Sequence, residues 1–277
     1  MIPIRLVEVG PRDGLQNEKT VIPTAVKVAF VDALSAAGFG EIEVSSFVSP
    51  TWVPQLADAA EVFSRITRHP GVIYSALVPN HVGLERALAA KVDKVSVFTA
   101  ASESFTKKNI NATIAESMAR FRPVVQASSV PVRGYVSTAW HCPYEGPIEP
   151  KAVLAVCEAL LDLGCTELSI GDTIGKATPG EVLGLLEHLL PRVGAERLTL
   201  HFHDTFGRAV ENAAAAAQSG ITAFDGSAGG IGGCPFAPGA TGNVATEALV
   251  RLFGGRTGID LPRLEAASAV LRGWLAP

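Results

Sequence analysis

The segment Leu198-Thr199-Leu200-His201-Phe202-His203-Asp204 reads as a buried strand that turns polar at its C-terminal end. His201 and His203 are two residues apart, so on a strand they share one face. Two imidazoles side by side at a strand end suit a metal ion. The competing interpretation is a pair of core histidines with satisfied hydrogen bonds. Asp204-Thr205-Phe206-Gly207 follows with the composition of a turn and a helix cap. A polar strand end running into a helix is the usual address of chemistry in parallel α/β folds.

Working outward, apolar runs alternate with alanine-rich amphipathic stretches, the pattern of repeated βα units. Strands are predicted at Ile4–Val9, Glu41–Ser45, Val72–Leu77, Lys94–Phe98, Val132–Val136, Glu167–Ile170, Leu198–Phe202 and Ala223–Gly226. Helices are predicted between them at Thr24–Ala37, Gln55–Ile66, Val82–Ala90, Ile114–Ser128, Pro150–Leu163, Pro179–Leu190 and Val210–Ser219. Eight such units point to a (β/α)8 TIM barrel. An open doubly wound sheet ranks second, because the first strand lacks a G-x-G-x-x-G turn. The reading is one barrel domain over residues 1–277, with extra C-terminal helices from about 244, at Thr246–Phe253 and Leu261–Leu271.

Bulk properties narrow the function. The 277 residues are 48% hydrophobic with a net charge of −4, and no basic run exceeds Lys107-Lys108. Nucleic acid is therefore not an expected partner. No run reaches the roughly 18 apolar residues a membrane span needs. The four cysteines form no CxxC, which argues against a zinc knuckle or disulfide framework and for a reducing compartment. A soluble, cytoplasmic protein without a signal peptide is expected.

A barrel's active face is built from the C-terminal ends of its strands. Unusual polar residues gather there: Gly10-Pro11-Arg12-Asp13-Gly14 after strand one, Glu43 on strand two, and Gly171-Asp172-Thr173 after strand six. Asp13 with His201 and His203 would hold a divalent ion such as Mn²⁺ or Mg²⁺, or Zn²⁺. Asn243 could add a carbonyl oxygen, or could instead be a helix N-cap before Val244. The segment Gly229–Gly242 carries six glycines around Cys234. That density signals backbone shapes other residues cannot adopt, or close approach to a ligand. A cysteine in such a loop could act as nucleophile or proton donor. Cys157 and Cys165 lie in apolar surroundings and read as inert. Lys107 and Lys108 could meet an anionic group such as a phosphate.

Together, Val7-Glu8-Val9-Gly10-Pro11-Arg12-Asp13-Gly14-Leu15-Gln16-Asn17-Glu18, His201-Phe202-His203-Asp204-Thr205 and Gly232-Gly233-Cys234-Pro235-Phe236-Ala237 resemble the 3-hydroxy-3-methylglutaryl-CoA lyase family of metal-dependent TIM-barrel enzymes. The likeness runs from about Ile4 to Phe253. It implies cleavage of 3-hydroxy-3-methylglutaryl-CoA to acetyl-CoA and acetoacetate, with Mg²⁺ or Mn²⁺ as cofactor, an acyl-CoA as partner and a homodimer as assembly. Asp13, His201, His203 and Asn243 match the family's metal ligands. Arg12 matches the arginine at the thioester carbonyl, and Cys234 the catalytic cysteine. Glu43 and Asp172 match acidic residues needed for activity, with Asp172 ranked first as base. Gln16, Lys107, Lys108 and Arg133 are expected to contact substrate alongside Arg12. The chain departs from the family at Gly226, Ala228 and Gly229, where larger residues are usual, and at Trp140-His141. The trimmed positions motivate an alternative, a lyase for a longer 3-hydroxy-3-alkylglutaryl-CoA. An acetyl-CoA-condensing synthase ranks lower, because the chain has the Cys234 loop.

Overall fold

Parallel strands need a crossover between them, and each predicted strand of this chain is followed by one. The computed structural model describes residues 2–232 and 242–275. The barrel strands are β1 Arg5–Glu8, β2 Glu41–Ser46, β3 Ile73–Leu77, β4 Lys94–Ala100, β5 Val132–Ser137, β6 Glu167–Asp172, β7 Leu198–Phe202 and β8 Ala223–Gly226. Each pairs in parallel with the next, and β8 pairs with β1 to close the barrel. The helices are α1 Thr24–Ala36, α2 Ala59–Arg65, α3 His81–Ala89, α4 Glu103–Ile110, α5 Ile114–Ala127, α6 Pro150–Leu163, α7 Pro179–Val193, α8 Ala209–Gln218, α9 Thr246–Phe253 and α10 Leu261–Ala269. The barrel with added C-terminal helices is as expected.

Helix boundaries differ in instructive ways. The predicted helix Gln55–Ile66 breaks into a 3-10 turn, Pro54–Leu56, and α2. Asp58 at the break directs its carboxylate to Thr24 and Lys27, each at 2.8 Å, rather than capping α2. Gln55 turns its amide to the backbone of Thr20 and Ile22, at 2.8 and 2.9 Å. Helix α4 was not expected, although Ser102 caps it by accepting from Phe105 N at 3.1 Å. Helix α7 runs on through Pro191 to Val193. A short ribbon pairs His141–Cys142 with Gly146–Pro147.

The alternation of the strands separates two cores. Outward residues such as Leu6, Ile42, Val95 and Leu168 join the apolar cluster under the helices. Inward residues are strongly polar: Arg5 and Lys94 both bind Glu41 and Glu167, and Arg133 binds Asp225 at 2.6 Å. A barrel interior of branched apolar layers is more usual. Burying charges costs desolvation, and only close pairing compensates it.

Candidate active site

Directly after β1 the chain coils into a five-residue π turn, Gly10–Gly14. The Val9 carbonyl accepts from the N–H groups of Arg12, Asp13 and Gly14, at 3.1, 2.7 and 3.3 Å. Single π turns recur at functional sites, and this one presents two consecutive charged side chains at the barrel mouth. Gly14 permits it, since a Cβ there would lie 2.6 Å from Ile231.

Asp13, His201 and His203 bring one ligand atom each to within 4.8 Å of one another. His201 and His203 share a face, as their spacing predicts, with ring centroids 5.3 Å apart. Asn243 is not the cap of α9, whose N-cap is Ala245. Its amide donates to Asp13 Oδ2 at 3.0 Å and to the Ile231 carbonyl at 3.2 Å. Gly232 makes room, because a Cβ there would sit 2.6 Å from the Asn243 amide nitrogen.

The donor set fits a divalent cation. Asn243 Oδ1 and His203 Nδ1 are buried with no hydrogen-bond partner among the described residues, and a lone pair is what a cation needs. Burial, then the neighbouring His201, pull the His203 imidazole down to about 4, so it is neutral at ordinary pH. Burial alone would raise the Asp13 carboxyl, but Arg12 and the two histidines hold it at about 2. In the barrel interior and mouth, the cations Arg5, Arg12, Lys94 and Arg133 pair with the carboxylates Asp13, Glu41, Glu43, Glu167 and Asp225. This leaves excess negative charge for an added cation. The chemistry of the set, two nitrogens with carboxylate and amide oxygens, suits Mn²⁺, Mg²⁺ or Zn²⁺.

Arg12 is buried. Its Nε donates to Glu43 Oε2 and its Nη1 to Asp13 Oδ1, both at 2.5 Å. Glu43 is held on both oxygens: Tyr135 donates to Oε2 at 3.0 Å and Ser96 to Oε1 at 2.5 Å. Glu43 therefore orients Arg12, while the arginine itself lines the cavity. That cavity is about 630 Å³. Asp13, Gln16, Tyr135, His201, His203 and Asn243 line it together with Arg12. Apolar walls come from Leu77, Phe98, Phe105 and Phe121.

Other expected site residues lie elsewhere. Asp172 faces outward on β6, opposite in phase to the cavity-lining Ser169 and Gly171. Its carboxylate accepts from Lys176 N and Ala177 N at 3.1 and 3.0 Å, bracing the loop after β6, and burial pushes it up to about 6. It does not reach the cavity. Arg133 sits below Tyr135 on the inner face of β5, engaged by Asp225, and does not line the cavity either. Lys107 and Lys108 are exposed on α4, with Lys108 Nζ 3.8 Å from the Tyr144 ring centroid. Their neighbours Phe105 and Asn109 line the cavity, so the lysines flank its mouth. Cys234 lies outside the described residues. Burial pushes the Cys157 and Cys165 thiols up to about 12, consistent with inert groups.

Gly226 and Gly229 face the helices rather than the cavity. A Cβ on Gly226 would meet Thr246 Oγ1 at 2.6 Å, and one on Gly229 would face Ser268 at 3.5 Å, both on the helical side. Trp140 Nε1 donates to the Glu181 carbonyl at 3.1 Å, and His141 Nε2 lies 2.9 Å from the Glu181 carboxylate, at the start of α7. Sequence reasoning missed Tyr135, Ser96, Ser169 and Asp225 as parts of the site. The signal was present as polar residues at alternate strand positions: Lys94 and Ser96, Arg133 and Tyr135, Glu167 and Ser169.

Residues 3–271 match the HMGL-like family. A 3-hydroxy-3-isohexenylglutaryl-CoA/hydroxy-methylglutaryl-CoA lyase of Pseudomonas aeruginosa is 52% identical over 267 residues, covering 94% of this chain and 89% of that protein. The crystal structure of the HMG-CoA lyase from Brucella melitensis superposes with a TM-score of 0.96 at 50% identity, covering 98% of each chain. An HMG-CoA lyase from Acinetobacter baumannii in complex with coenzyme A and 3-methylmalate superposes with a TM-score of 0.92 at 41% identity, covering 97% of this chain and 90% of that one. With that extent of likeness and the Asp13, His201 and His203 cluster at its barrel mouth, the chain belongs to the HMGL-like family.

Proposed function

We propose that the protein is a carbon–carbon lyase that cleaves 3-hydroxy-3-methylglutaryl-CoA to acetyl-CoA and acetoacetate. The observation that carries this reading is the convergence of Asp13, His201, His203 and Arg12 on one cavity, in a chain about half identical to lyases named for that reaction. Asp13, His201, His203 and Asn243 would hold Mg²⁺ or Mn²⁺. Such a cation would acidify the substrate's tertiary hydroxyl.

The reaction needs three things from the chain. The hydroxyl proton goes to a group that reaches the cavity. Among the described carboxylates and imidazoles, the cavity is lined by Asp13, His201 and His203. As the carbon–carbon bond breaks, the alcohol carbon becomes the ketone of acetoacetate. The bonding pair passes to the thioester side as an enolate. Arg12, clamped by Glu43 and Asp13, is the donor we assign to the enolate oxygen; a fixed donor of this kind works best where charge develops. Cys234 is the acid we assign to protonate the enolate carbon and release acetyl-CoA. Gln16, Lys107 and Lys108 are assigned to the CoA ester, supported by the coenzyme A held by the A. baumannii relative. Asp172 and Arg133 are assigned supporting roles, bracing the loop after β6 and the His201 side of the barrel.

A longer 3-alkyl substituent is the second substrate reading. Its support is the apolar wall of Leu77, Phe98, Phe105 and Phe121, together with the two substrates in the name of the P. aeruginosa relative. One barrel domain over residues 1–277 acting as a cytoplasmic homodimer completes the reading; no helix of the described residues is long and apolar enough to cross a membrane. The test is a product assay with 3-hydroxy-3-methylglutaryl-CoA in Mg²⁺ or Mn²⁺, against chelator and against longer 3-alkyl analogues. Acetoacetate released only with metal is the expected result. No turnover of any analogue in either metal would remove the lyase assignment.

A further inference from the structure

Asp225 is fully buried on the inner face of β8, in direct register with His201 of the neighbouring β7. Its two oxygens have different partners. Oδ1 accepts from Arg133 Nη2 at 2.6 Å. Oδ2 is shared by Ser169 Oγ at 2.7 Å and His201 Nδ1 at 3.2 Å. A carboxylate only accepts, so His201 Nδ1 must carry a hydrogen. The other ring nitrogen, Nε2, lies toward Asp13, 3.8 Å from Oδ2.

We propose that Asp225, held by Arg133 and Ser169, is a positioning residue that fixes His201 with its hydrogen on Nδ1 and its lone pair on Nε2, ready for a cation. The inference rests on the metal reading of Asp13, His201 and His203 given above. The reach of Arg133 matters. It arrives from β5, across the barrel interior, and pins Oδ1 so that Oδ2 is the oxygen left for Ser169 and His201. Carboxylates behind ligating imidazoles fix ring orientation in this way.

The arrangement makes Asp225→Asn a switch rather than a simple loss. An amide NH2 cannot face the Arg133 N–H, so the asparagine must turn its oxygen to Arg133. Its NH2 then points at Ser169 and His201. Ser169 Oγ can accept. His201 Nδ1 can accept only if the ring hydrogen moves to Nε2, which removes the lone pair aimed at the cation. Replacing Arg133 as well, in Arg133→Met/Asp225→Asn, frees the amide to turn over and accept from Nδ1 again.

The experiment uses the full chain with two readouts. The first is Mn²⁺ titration by calorimetry. The second is the nitrogen-15 spectrum of the histidines in metal-free protein, with His201 assigned by comparison with His201→Gln. Wild type should show a protonated Nδ1 on His201. Asp225→Asn should show a protonated Nε2 and bind Mn²⁺ about 10–100-fold more weakly, the usual loss for an outer-sphere partner. The double variant should regain the wild-type nitrogen pattern and most of the affinity, a rescue that a merely structural role would not produce. Wild-type affinity in Asp225→Asn, an unchanged nitrogen pattern, or a double variant no better than the single one would each overturn the proposal. His203→Ala keeps the two readings apart. If it bound Mn²⁺ like wild type, the metal reading would fail, while the His201 nitrogen pattern would still decide the tautomer.

Discussion

Replacing Arg12 by lysine keeps the charge at the barrel mouth and removes the planar fork. In the structure Arg12 bonds Glu43 through Nε and Asp13 through Nη1, both at 2.5 Å, and packs over the Tyr135 ring at 5.2 Å. One ammonium cannot reproduce two bonds fixed at the fork's spacing. Losing one charge-assisted bond should lower stability by about 1.5–3 kcal/mol. For a domain of this size that is a fall in Tm of about 3–12 °C. The effect on rate should be larger. If Arg12 donates to the oxygen where enolate charge develops, its displacement should lower kcat by about 10²–10³-fold, as for loss of one oxyanion donor. KM should move only a few-fold, because the ground-state thioester carries little of that charge. Steady-state kinetics of acetoacetate release gives both constants, and Mn²⁺ calorimetry on the same protein is the control. A tenfold rise in KM with kcat preserved would refute the reasoning and make Arg12 a ground-state anchor. A loss of Mn²⁺ affinity as large as the loss of kcat would refute it differently, placing the role of Arg12 in orienting Asp13.

Three further outcomes are expected. His203→Ala removes one of the two imidazole ligands and should weaken Mn²⁺ binding at least tenfold while circular dichroism stays that of the folded barrel; unchanged affinity would remove His203 from the site. Cys234→Ser and Cys234→Ala should both lose nearly all turnover while still binding metal and CoA ester, and mass spectrometry of wild type quenched in turnover should find no acyl adduct on Cys234. Burial pushes the Glu8 carboxyl from 4.5 up to about 8, against hydrogen bonds from Ala228, Thr246 and Gly10. Between those values the native state keeps a proton that the unfolded chain has lost, so the contribution of Glu8 to stability falls as pH rises through that window. Glu8→Gln should therefore flatten the fall in Tm between pH 5 and 8, and a parallel decline in both proteins would show that Glu8 does not titrate as its burial implies.

Much of the fold was legible because its rules are local. Strand, helix and their repeat are written in apolar periodicity, and the placement of chemistry at strand C-terminal ends follows from the barrel itself. The metal constellation was legible for a similar reason. His201 and His203 share a face by spacing alone, and Asp13 follows a strand two places around the closed barrel. The place of Asp172 depends on strand phase carried through the last residue of β6: with Ser169 and Gly171 facing in, Asp172 faces out. At Gly226 and Gly229 a small residue in a glycine-rich stretch looks like pocket space, and only the tertiary structure shows that the neighbours there are Thr246 and Ser268.

The sequence by itself determined a closed parallel barrel, its added C-terminal helices and the types of ligand at its mouth. Each of these depends on residues near one another in the chain. Only the tertiary structure decided which buried charges meet. Glu43 with Arg12, Arg133 with Asp225, and Asp225 with His201 are pairs from different βα units, brought together by barrel closure and cross-strand register. Their geometry sets which nitrogen of His201 is free and which carboxylate is already satisfied. Periodicity tells which face a side chain takes, but the partner it finds across the barrel depends on where every other strand lies.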